Sequence, residues 1–213
     1  NCKKEEHIIG EILYVTANAL SSQSLYSISN FYLNLAKYLN PNFVSYNTLL
    51  AENFFKTNNF KKAKKIYKNL SKNGTAFNWY TTKQLARILI QEQNTSEALK
   101  ILNKSYNNLQ NKKIYEIFDY AEFLKNNEKF EESIPLYSEI LNQIEKTHPL
   151  YSEVTDGRGI AYERIGEWNK AEKDLLASLK ENPNQAYVIN YLAYSWIEKG
   201  IKIKKSLDML KKA

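Results

Sequence analysis

Apolar residues recur along the chain at three- and four-residue spacing, in stretches that come in pairs separated by short polar turns. The stretch Thr155 to Pro183, TDGRGIAYERIGEWNKAEKDLLASLKENP, shows one pair completely. In its first half the small Gly159 stands three residues before Tyr162, and Gly166 ends the helix where a left-handed backbone is needed. Trp168 leads into the second helix, Ala171 marks its inner face, Leu175 follows at helical spacing, and Pro183 cannot continue the helix.

The same pair recurs along the chain. The small residue of the first helix returns as Ala17, Ala51, Ala86, Ala121, Gly159 and Ala193, at intervals of 34, 35, 35, 38 and 34. That of the second helix returns as Ser29, Ala63, Ala98, Ser133, Ala171 and Ser206, 12 residues after the first in five units and 13 in the last. Small side chains let two antiparallel helices approach to roughly 8–10 Å. Leu20, Phe54, Leu89, Leu124, Tyr162 and Trp196 fill the flanks of the first helices, and Tyr26, Phe60, Phe130 and Trp168 open four of the second. Thr95 stands at that place in the third unit, which predicts a looser joint there. The expected units span 10–41, 44–74, 79–110, 114–149, 152–183 and 186–213. The fourth carries a longer second helix to absorb the 38-residue interval, with Pro135 about its first turn.

This period and these residues resemble the tetratricopeptide repeat (TPR). The resemblance implies an all-α fold: a right-handed superhelix, or α-solenoid, of about six antiparallel helix pairs, forming a single domain over 1–213. The run Arg158 to Gly200 is similar to a block found in an uncharacterised family of alphaproteobacterial TPR proteins, with Ala193 and Ala186 where that family has glycine and proline. That likeness implies a bacterial protein, exported to the envelope or periplasm, with the cytoplasm left open. Val44 to Gly74 also resembles a pentatricopeptide repeat, which reads RNA, but the other units do not.

Six glycines and four prolines suit a nearly all-helical chain, and no apolar run approaches a membrane span. A single cysteine, Cys2, excludes an internal disulfide and reads as a free thiol. The only methionine is Met209, and the last pair exposes apolar residues without a polar closing helix. The expectation is a piece of a longer protein that continues C-terminally, or one that self-associates through that end. The net charge of +7 allows attraction to acidic partners without requiring nucleic acid.

Catalytic, metal and cofactor chemistry find no support in the residues. His7 and His148 lie far apart and read as solvated loop histidines. The glycines read as helix stops rather than a phosphate loop, the run Asp156 to Gly159 as plain helix, and Glu131-Glu132 as carboxylates at a helix start. A binding surface remains. The resemblance implies that first helices line a concave groove for a peptide or protein partner. Its outward residues are Tyr14 and Asn18; Glu52 and Phe55; Tyr80, Lys83, Gln84 and Arg87; Tyr115, Phe118, Asp119 and Glu122; and Asn190, Tyr191 and Tyr194. Tyrosines at these places also suit packing between adjacent repeats. The resemblance does not extend to the clamp for chaperone C-terminal tails: of Tyr14, Asn18, Leu49, Tyr80 and Gln84 at its positions, only Asn18 matches. Lys61, Lys62, Lys64, Lys65 and Lys68 form a basic run on a second helix and read as solvated surface. The expected function is a binding scaffold, with a docking arm of a larger enzyme or envelope assembly as the alternative.

Overall fold

The computed structural model describes residues 4–211, so Cys2 lies outside the described residues. These hold twelve α-helices and no strand: α1 (Glu5–Ser22), α2 (Tyr26–Leu39), α3 (Ser45–Lys56), α4 (Phe60–Leu70), α5 (Thr75–Gln91), α6 (Thr95–Asn107), α7 (Ile114–Asn126), α8 (Phe130–Leu141), α9 (Tyr151–Arg164), α10 (Trp168–Glu181), α11 (Ala186–Glu198) and α12 (Ile203–Leu210). The chain forms two compact units, Asn1–Leu109 and Gln110–Ala213. Within each, every helix packs on the next in sequence, α1 to α6 in the first and α7 to α12 in the second.

The small residues sit where helices of a pair cross. Ala17, Ala51, Ala86, Ala121 and Ala193 are fully buried, as are Ala63, Ala98, Ala171, Ser29, Ser133 and Ser206. The Ser29 hydroxyl donates to the Ala17 carbonyl at 2.7 Å, so its polar atom is satisfied within the crossing. At Gly159 an added Cβ would lie 3.0 Å from Leu175 and 3.3 Å from the Ala171 carbonyl, so a methyl there would push the helices apart. Large side chains then close the layers. Leu33, Tyr46 and Leu50 join α2 to α3, and Leu175, Val188 and Trp196 join α10 to α11.

One turn joins the two helices of every pair. Seven residues after each first small residue the backbone is left-handed: Ser24 (φ 64°), Asn58 (57°), Gln93 (60°), Glu128 (61°), Gly166 (84°) and Gly200 (68°). The next N–H bonds back to a carbonyl five residues earlier, as in Leu25 to Leu20, Lys129 to Leu124 and Ile201 to Trp196, each at 2.9 Å. This six-to-one bond satisfies an orphan helix-end carbonyl. The glycine expected at Gly166 is thus one instance of a turn that four units make with other residues. In the last unit Lys202 adds a second left-handed residue (φ 49°), which accounts for its spacing of 13.

Four local expectations are corrected. The second helix of the fourth unit is not longer: α8 ends at Leu141, and the additional residues form the connection 142–150. Pro149 disfavours helical backbone at His148, and the segment turns instead, with the His148 Nδ1 accepting the Leu150 N–H at 3.1 Å. Pro135 lies inside α8, in its second turn. His7 is not in a loop but in the first turn of α1. Gly10 does not stop a helix but lies within α1. Gly157 lies within α9, as expected for the run Asp156 to Gly159, and a Cβ on it would come 2.9 Å from the Tyr137 ring. Thr95 is exposed where its aromatic counterparts are half-buried.

Candidate functional site

In the first unit the expected face is largely engaged with itself. Arg87 of α5 lies 3.8 Å above the Phe55 ring and pairs with Glu52 of α3 at 2.5 Å. The Tyr67 hydroxyl of α4 also donates to Glu52, at 3.4 Å, and burial beside this carboxylate pushes that phenol above its ordinary range. Tyr80 packs edge-on to Tyr67 at 6.3 Å, and Lys83 lies 5.9 Å from the Trp79 ring. The Gln84 Oε1 and the Arg87 Nε are buried without a hydrogen-bond partner. Tyr14 packs between repeats, 5.4 Å from Phe43 and 5.5 Å from Tyr46, and Asn18 is exposed.

In the second unit, polar groups of α7 and α9 turn inward. Glu122 accepts from the Tyr137 hydroxyl at 2.6 Å and from Lys125 at 2.7 Å. Phe118 packs on Tyr137 at 6.5 Å, Asp119 is half-buried and Tyr115 is exposed. Arg158 binds Asp174 of α10 with two nitrogens, at 2.6 and 2.9 Å, and Ser138 of α8 at 3.0 Å. Burial pushes the Asp156 carboxyl up to about 7; Lys125 opposes this, and Glu122 and Glu153 add to it. The run read as plain helix therefore supplies the most perturbed carboxylate and a buried ion pair of this unit. No residue of α9 was among the expected site residues. Phe118 and Asn190 stand three residues before their small residue, and the same count before Gly159 reaches Asp156.

At the other end of α9 the surface opens. A pocket of about 320 Å³ is lined by Glu163, Arg164, Tyr187, Asn190, Tyr191, Tyr194, Ser195 and Glu198. It brings together Asn190, Tyr191 and Tyr194, all three expected residues of α11. The Tyr191 hydroxyl donates to Glu163 at 2.7 Å, and burial with this bond raises its pKa. The Arg164 guanidinium lies 6.0 Å from the Tyr191 ring and 3.7 Å from Glu163. Tyr187 and Tyr194 remain 64% and 59% exposed, so their rings are available to a ligand. Tyr187 was legible: like Tyr80 and Tyr115, it stands six residues before its small residue. Glu163 was legible too, four residues after Gly159 as Phe55 is after Ala51, whereas Arg164 was not, because it enters only through the packing of α9 beside α11.

The basic run on α4 divides. Lys64 pairs with Glu92 at 2.8 Å and Lys62 lies 5.0 Å from the Phe54 ring, while Lys61, Lys65 and Lys68 line a shallow hollow with Lys64 and Glu92. Among the described residues no group of three or more His, Cys, Asp or Glu is placed to hold a metal ion. None of their helices is long and apolar enough to cross a membrane.

No protein-family model and no curated protein matches the chain. Solved structures do. YrrB, described as a TPR protein with an unusual peptide-binding site, superposes with a TM-score of 0.54 at 17% identity, over 83% of this chain and 88% of that one. MamA gives 0.58 at 15% identity, over 76% and 91%. The chain has the tetratricopeptide fold. The Cut9-Hcn1 hetero-tetramer of the APC/C matches with a TM-score of 0.65 at 15% identity, over 99% of this chain and 44% of that one.

Proposed function

We propose that this chain is a protein-interaction scaffold that binds a peptide segment of a partner on its first-helix faces, with the pocket between α9 and α11 as the principal contact. The observation that carries the reading is the exposed pair Tyr187 and Tyr194 beside Asn190 and the oppositely charged Arg164 and Glu198. Rigid tyrosines supply contact area at small conformational cost, an amide pairs with a peptide bond, and the charges orient the segment. Within each unit the other expected residues, from Tyr14 to Arg87 in the first and from Tyr115 to Glu122 in the second, are further proposed contacts, and those of the first contribute where their internal pairs open. The peptide-binding site for which YrrB is described supports the class of ligand. The described residues call for no cofactor in this reading.

The test is selection of binders from a displayed peptide library, followed by calorimetry at low and moderate salt. Tyr194→Ala is expected to weaken a selected peptide about tenfold, the loss of one aromatic anchor, with little change in stability because the residue is exposed. Binding indifferent to Tyr194→Ala and Tyr187→Ala refutes the pocket. Binding that also collapses with salt would move attention to the basic hollow on α4.

A further inference from the structure

The first helix pair exposes apolar side chains on two faces, and the repeats themselves separate the two cases. On α1, Ile12 is 60% exposed, whereas four of its five equivalents, Tyr46, Thr81, Val154 and Val188, are buried to 1% or less, and the fifth, Glu116, is half-buried. In those units the preceding second helix packs on the first helix that carries this position. The stacking of repeats therefore accounts for Ile12, and it carries no separate site.

The outer face of α2 differs. Ile28, Phe31, Leu35 and Tyr38 are 49%, 60%, 40% and 83% exposed. At the place of Phe31 the other units have Lys65, Lys100, Pro135, Lys173 and Asp208, and at that of Ile28 they have Lys62, Glu97, Glu132, Lys170 and Lys205. Helix α4 has neighbouring helix pairs on both sides within its unit, yet its Lys62, Lys65 and Asn69, and Lys72 in the turn just after it, stay exposed. A further repeat thus leaves this face in solvent, and only the first unit makes it apolar.

The spacing of the four residues is three, four, three, the alternation of core positions in a coiled coil. Such a seam takes another helix. Its flanks are Ser27, Tyr32, Asn34 and Leu39, with no charge, and Lys37 is the only charged residue of α2. Charges at flanking positions ordinarily set the choice of a foreign partner. Their absence lets the seam meet a copy of itself across a two-fold axis without like-charge repulsion. An anionic membrane surface is the poorer occupant, because one lysine offers little attraction and Glu5 and Glu6 begin the adjoining helix. Phe31 is steadied by an edge-on contact with Tyr32 at 5.6 Å, so little side-chain freedom is lost on pairing.

We propose that the outer face of α2 is a self-pairing seam through which two copies of this chain associate. Four apolar side chains per copy make a small interface, so the dimer is weak and concentration dependent. Sedimentation equilibrium tests it over roughly 10 µM to 1 mM, the range suited to micromolar affinity. The expected weight-average mass rises from 24.9 kDa toward twice that value. The double variant Phe31→Glu, Leu35→Glu stays at the monomer mass with unchanged helical circular dichroism. Tyr38→Glu, at the most exposed position, keeps the fold and weakens association at least about tenfold. A wild type that stays monomeric throughout, whether or not it binds a helical peptide or lipid vesicles instead, overturns the proposal. So does a folded double variant that dimerises like the wild type.

Discussion

The two units are built from the same helix pair, yet their first-helix faces end in different states. In the first, Arg87 lies on Phe55 and pairs with Glu52 while Tyr80 packs on Tyr67, so the polar groups at the surface are taken up by one another. In the second, Arg158 turns beneath the surface to Asp174 and Ser138, and the exposed rings of Tyr187 and Tyr194 are left to the solvent. A repeat makes equivalent positions but not equivalent sites. Whether a side chain is free for a partner depends on what the neighbouring helix offers it, and that changes from unit to unit.

The largest expected effect breaks the inward network. Arg158→Ala leaves Asp174, only 5% exposed, without its cation. Removing one partner of a buried pair is expected to cost about 3 kcal/mol. Stability in a stack of repeats is a sum of local terms, so hydrogen exchange should accelerate chiefly in α8 to α10 and leave the first unit protected.

Next comes Asp156. Its raised pKa means that the folded chain holds this proton more tightly than the unfolded chain does. Stability is therefore lost as pH rises from the ordinary carboxylate range through about 7. Asp156→Asn removes the buried charge. Allowing for its partial exposure, it is expected to stabilise by roughly 1–2 kcal/mol at pH 8, with the gain shrinking toward pH 4. Urea unfolding at the two pH values measures it, and an equal effect at both would refute the assignment.

The smallest effect sharpens the comparison from the other side. The turn between paired helices is shared by both units, with Gln93 left-handed in one and Glu128 in the other. Gln93→Gly and Glu128→Gly are each expected to raise stability by about 0.5–1 kcal/mol, because glycine adopts this backbone without a steric penalty. Similar gains at the two sites would show that the turns are equivalent although the faces are not.

Much of this architecture was legible in residue order. Helix crossings need small side chains and helix ends need a reversal. Both demands are local and periodic, so Ala17 to Ala193 and Ser29 to Ser206 show the helix pairs before any contact is known. The count that located Asn190 and Tyr194 is the same periodicity applied to the outer face. Other features follow no period. The 38-residue interval marks an insertion, but only packing and Pro149 placed it in the connection 142–150 rather than in α8. Arg158 and Asp174 lie 16 residues apart on different helices, and nothing local pairs them. Arg164 joins the tyrosine pocket only because α9 lies beside α11 there. By itself the sequence determined which residues approach and where the chain turns, since backbone sterics act between near neighbours. The tertiary structure decided which polar groups are consumed and which stay open, because desolvation and pairing depend on atoms brought together from distant parts of the chain.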